Sequence, residues 1–169
     1  MNFLKKNISL IATIAVILIA GVGGYYLMNL KRGPYAASTF VSVTYKWGVG
    51  DTLANSYNSA TGDYQYLDNQ DQLIKKKVKL HSNNIIFIHS KANELDIWSL
   101  PEVIANKNED LSSEKVLRYE IVFNYEKKTK KIVFMMDYNE DIAVADRAEQ
   151  LQKIIKQTID EVEDRYSKP

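Results

Sequence analysis

The chain has 169 residues, no cysteine and nearly balanced charge, with 22 Lys and Arg against 21 Asp and Glu. The missing thiols exclude a disulfide framework, cysteine catalysis and a lipid anchor carried on cysteine. Lys5, Lys6, Lys31 and Arg32 fall within the first 34 positions, which hold no acidic residue, so the remainder is formally acidic. It therefore lacks the basic excess that a nucleic-acid partner demands.

From Ile8 to Met28 no side chain is charged. A helix over this run rises about 31 Å, close to the ~30 Å hydrocarbon layer of a bilayer, so a transmembrane helix with the membrane as its partner is expected. The run exceeds the apolar region of a cleaved secretory signal, normally about 7–15 residues, which favours a retained anchor. Tyr25 and Tyr26 would sit at one interface, with Lys31 and Arg32 among the headgroups. The expected layout is a single-pass cell-membrane protein with a cytoplasmic N-terminus, an anchor over 1–34, and one extracytoplasmic α+β domain over 35–169.

Within that domain Val41, Val43, Tyr45 and Trp47 alternate with polar residues, which predicts a strand over Phe40–Trp47. Gly48-Val49-Gly50-Asp51 breaks it, and a long polar loop leads to a short strand at Tyr64–Leu67. Leu73–His81 reads as the next strand, with Ile74, Val78 and Leu80 opposite Lys75, Lys77, Lys79 and His81. After Ser82-Asn83-Asn84, Ile85, Ile88, Ala92, Leu95 and Trp98 recur at helical spacing, and Pro101 ends the element. Val116–Tyr125 and Lys131–Tyr138 predict a hairpin turning at Glu126–Lys130. A closing helix runs from about Ile142 to Arg165, with Ala148, Leu151, Ile155, Ile159, Val162 and Tyr166 as its apolar stripe and a charged opposite face. The expected fold is an antiparallel sheet of about five strands, with two helices on one face. The other face should be solvated, with Lys75, Lys77, Lys79, Arg118 and Glu120 among its members.

The chemistry-bearing patterns are sparse. Gly48-Val49-Gly50-Asp51 lacks the third glycine and the following helix of a dinucleotide loop, so it reads as a turn. Trp47 and Asp51 at that strand end are nevertheless the candidate ligand or partner contacts. Asp137, Asn139 and Asp141 match the first oxygen positions of a calcium loop, but Ile142 and Ala148 stand where glycine and glutamate belong. They are weak metal candidates beside the plainer reading of a strand exit and helix cap. His81 and His89 fit no zinc spacing. No nucleophile beside a base and no acid/base carboxylate pair is recognisable, so neither catalysis nor a cofactor is expected.

The stretch from Leu80 to Ile97-Trp98-Ser99-Leu100-Pro101, then a strand hairpin and the closing Leu151-Gln152-Lys153-Ile154-Ile155 helix, resembles small bacterial envelope proteins of α+β type that have no known function. The resemblance spans about residues 40–165 and implies a tethered domain that binds an envelope protein or other component without chemistry. The alternative expectation is a small-ligand sensor or enzyme, with a pocket at the first strand end lined by Trp47, Asp51 and neighbouring tyrosines. A type IV pilin is excluded, because Lys6-Asn7-Ile8-Ser9 stands where that family carries its cleavage glycine and early glutamate.

Overall fold

Alternating apolar side chains build most of this computed structural model, which describes residues 7–31 and 34–167, with side chains at 7, 10–25 and 34–165. The chain divides into two compact units, Met1–Pro34 and Tyr35–Pro169. The first holds helix α1, Ile8–Lys31. The expected membrane span is overturned here: among the described residues, no helix is long and apolar enough to cross a membrane. Gly21, Gly23 and Gly24 of α1 carry no side chain to bury in hydrocarbon, and they weaken its apolar run. The single-pass cell-membrane location and the cytoplasmic N-terminus rested on that span and fall with it. Lys5, Lys6, Arg32 and Gly33 lie outside the described residues, as do the side chains of Ile8, Tyr26, Met28, Lys31 and Tyr166.

The second unit is α+β, but its sheet has seven strands rather than about five and is mixed rather than antiparallel throughout. In chain order it contains β1 (Phe40–Gly48), β2 (Asn55–Asn58), β3 (Asp63–Leu67), β4 (Leu73–Lys77), α2 (Ser82–Glu94), β5 (Val103–Ile104), β6 (Arg118–Tyr125), β7 (Thr129–Met135) and α3 (Ile142–Ser167). The spatial order is β4-β3-β2-β1-β6-β7-β5; β5 runs parallel to β7 and every other pair is antiparallel. The additional strands are β2 and β5. β2 (Asn-Ser-Tyr-Asn) buries Tyr57 alone among its residues, and β5 has two residues, so neither shows an alternation long enough to read.

Both helices cover the same face. Val43 and Tyr45 of β1, Ile121 and Phe123 of β6, and Ile132 and Phe134 of β7 pack with Ile88 and Ala92 of α2 and Leu151, Ile155 and Ile159 of α3 in one core. Each such Leu, Ile or Phe stabilises the fold by about 1.5–3 kcal/mol through burial. α2 starts with the His81 N–H donating to Asn84 Oδ1 at 3.1 Å. It ends at Glu94, before Asp96 takes the left-handed conformation at φ 46° and a 3-10 turn over Ile97–Ser99 brings Trp98 back onto the core. Gly62, at φ 73° between β2 and β3, brings the Val78 carbonyl within 3.2 Å of where a Cβ would stand, which leaves room only for glycine.

The strand faces depart from strict alternation in two places. The register between β1 and β6 shifts between Phe40 and Ser42, and this bulge turns Val41 out to 55% exposure. In β7, Ile132 and Phe134 face the helices, but Val133 and Met135 are buried on the opposite face, while Met136 beyond the strand is exposed. The outer face is therefore not wholly solvated. Loops fold over its β6–β7 end, where Arg118 is buried: its guanidinium donates to the Leu111 carbonyl and, at 3.3 Å, to the Asp51 carbonyl.

Candidate functional site

The helix-covered face carries a row of rings. Tyr45 stacks on Trp47 with centroids 4.7 Å apart, Trp47 lies 6.2 Å from Tyr64, and Tyr64 lies 4.9 Å from Tyr66. Side chains two apart on a strand share a face, which is why Tyr45 and Trp47 of β1, and Tyr64 and Tyr66 of β3, join one surface. Tyr45 and Tyr64 are buried beneath α3, whereas Trp47 and Tyr66 are only partly covered. Where α3 passes over β3, the partly covered rings open into a groove of about 400 Å³ that is also lined by Asn55, the Leu67-Asp68-Asn69 turn, Lys156, Asp160 and Glu163.

The polar walls hold the rings in place. The Tyr64 hydroxyl donates to Asp160 Oδ1 at 3.4 Å, and the Tyr66 hydroxyl donates to Glu163 Oε1 at 3.3 Å. Asn55 pins the floor: its Nδ2 donates to the Trp47 carbonyl at 3.0 Å, and its Oδ1 accepts from the Leu67 N–H at 2.8 Å. Asp68 Oδ1 accepts from the N–H groups of Gln70 and Gln72, which fixes the turn at the groove mouth. Burial, followed by the charges of Asp160 and Glu163, keeps the Tyr64 phenol protonated well above the usual tyrosine range. Lys156 pairs with Asp160 at 2.5 Å and Lys76 pairs with Glu163, the hydrogen bond to Glu163 raising the Lys76 pKa. The arrangement supplies flat apolar faces and fixed charges, but neither carboxylate stands unpaired as a base.

Trp47 thus lies in the groove with Tyr64 and Tyr66, and Asp51 does not. Asp51 is exposed in the loop after β1 and contributes its carbonyl to Arg118. Asp137, Asn139 and Asp141 are tied into the connection between β7 and α3. The Asp137 carbonyl accepts from Asn106 Nδ2 at 3.1 Å, the Asn139 N–H donates to Asn106 Oδ1 at 3.1 Å, and Asp141 Oδ1 caps α3 through the N–H groups of Ala143 and Val144. Among the described residues, no group of three or more His, Cys, Asp or Glu could hold a metal ion. His89 is buried against Tyr35, Trp98 and Tyr125, away from the groove lining.

Lys156, Asp160 and Glu163 were hidden in the sequence by the charged face of the last helix. The available signal was their spacing of three and four residues beside the Ile155-Ile159-Val162 stripe, which places them on the flank of α3 next to the sheet. No protein-family model matches the chain, and comparison with curated proteins finds no match.

Proposed function

We propose that the chain is a non-catalytic binding protein whose ligand seats in the groove between β3 and α3. The observation that carries this reading is the convergence of partly covered Trp47 and Tyr66 rings with Lys156, Asp160 and Glu163 around one concavity. Concave sites lined by rings with a few placed polar groups are where small polar ligands are recognised. The polar groups are held by internal bonds, as binding surfaces require, and the Tyr64 phenol is locked in its protonated form. The reading keeps the expected binding role and moves the contact surface from the Trp47–Asp51 end of the first strand to the groove between β3 and α3, retaining Trp47 and dropping Asp51.

The chain holds two tryptophans, and only Trp47 lines the groove. In an ¹⁵N-labelled full chain, adding short peptides, amines and oligosaccharides in turn should give a saturable shift of the Trp47 indole N–H with Trp98 unmoved. Trp47→Ala, followed by titration calorimetry because it removes the indole reporter, should weaken that binding roughly tenfold, the equivalent of one ring contact. Ligands that move only the Trp98 signal, or a panel that moves neither, would remove the groove as the site.

A further inference from the structure

The groove rings already hold two ammonium groups, both belonging to the chain. Lys156 Nζ stands 6.0 Å from the centre of the Trp47 ring and within 2.5 and 2.6 Å of the two Asp160 carboxylate oxygens. Lys76 Nζ stands 5.6 Å from the Tyr66 ring centre and pairs with Glu163. In both seats a carboxylate meets the charge while an aromatic face meets the methylene stem and the ammonium. Tyr64 and Tyr66 donate their hydroxyl protons to Asp160 and Glu163, which returns electron density to the rings and strengthens their negative faces. Asp68, Asp160 and Glu163 line the groove against Lys156 in the lining and Lys76 on Glu163, so carboxylates still outnumber ammonium groups.

From this geometry we infer that the groove recognises a primary ammonium on a methylene stem, with Lys156 as its internal stand-in on Trp47 and Asp160. The inference rests on the groove being the binding site. An anionic ligand would meet Asp68, Asp160 and Glu163, and a neutral polyhydroxyl ligand would leave the excess charge unanswered. The Lys156 side chain is 35% exposed, so its ammonium can swing into water when another takes its place. A tethered group competes like a ligand at millimolar effective concentration, so an occupant must displace it. Free diamines and the lysine side chain of a peptide share this chemistry.

The test follows the Trp47 indole N–H in the full chain during titration with 1,5-diaminopentane, with a lysine-containing tripeptide blocked at both ends, and with methyl glucoside. We expect saturable shifts from one or both amine probes, about tenfold tighter in Lys156→Met and at least tenfold weaker in Asp160→Asn. An unmoved Trp98 signal reports that each variant is folded; if Lys156→Met disturbs it, Lys156→Gln provides the same comparison. A stronger response to the diamine identifies free amines as the source, and a stronger response to the tripeptide identifies a lysine side chain. Saturable binding of methyl glucoside without the amines, or amine affinity unchanged by Lys156→Met, overturns the ammonium inference and leaves the groove standing. No shift of Trp47 by any probe removes both.

Discussion

Tyr45 and Tyr125 are both buried on the helix-covered face of the sheet, yet their hydroxyls end differently. The Tyr45 hydroxyl donates to Gln152 Oε1 at 3.1 Å, and Gln152 is itself buried on α3. Among the described residues, no atom pairs with the Tyr125 hydroxyl. A buried acceptor stripped of its donor costs about 1–3 kcal/mol, whereas removing a group that was never paired costs little. Urea unfolding should therefore show Tyr45→Phe destabilised by about 1–2 kcal/mol and Tyr125→Phe unchanged or slightly stabilised. Burial drives the pKa of both phenols upward, so neither effect should vary with pH below about 9.

At the scale of elements, the joint between α2 and the 3-10 turn after it sets the protonation of His89. An indole N–H can only donate, so the Trp98 Nε1 contact to Asn93 at 2.5 Å turns the Asn93 oxygen toward Trp98 and its amide N–H₂ toward His89. His89 Nδ1 must then accept from Asn93 at 3.2 Å, which leaves Nε2–H to donate to the Tyr35 carbonyl at 3.1 Å. This arrangement requires the neutral ring, and burial pushes the His89 pKa below its ordinary value despite the opposing bond to Tyr35. Because the unfolded chain takes up this proton first, the contribution is complete above about pH 6.5 and is lost as pH falls through the folded-state value. Melting temperatures measured from pH 8 down to 5.5 should fall more steeply for the native chain than for His89→Gln. Equal slopes would show that the ring does not titrate against this network. Little of this was legible in the sequence, where His89 was a helix residue with no ligand spacing. The stripe Ile85, Ile88, Ala92, Leu95 and Trp98 was legible, because a 3.6-residue period survives the break at Asp96. The bulge at Val41 and the burial of Arg118 were not: each depends on which strand or loop lies opposite, and alternation along a single segment carries no record of that.

At the scale of the whole domain, the sheet consists of a meander from β1 to β4 and a β6–β7 hairpin, joined along β1 and β6, with β5 added in parallel at the β7 edge. The candidate groove inherits this layout, since its floor comes from neighbouring hairpins and its far wall from the last helix. Trp47 with the tyrosines could be read from β1 and β3, but the wall could not, because only the completed fold lays α3 across β3. The β1–β6 seam brings Val43 opposite Phe123 and Tyr45 opposite Ile121, pairs separated by most of the domain's length. The hairpins need only short loops to close, whereas the seam must wait for a large excursion of chain to return, and contacts of that kind govern how quickly a domain folds. The strand pairing thus divides the fold into parts that form early and a single late closure. Stopped-flow refolding should show Phe123→Leu slowing the folding rate, because the seam it packs in has to close on the way to the folded state.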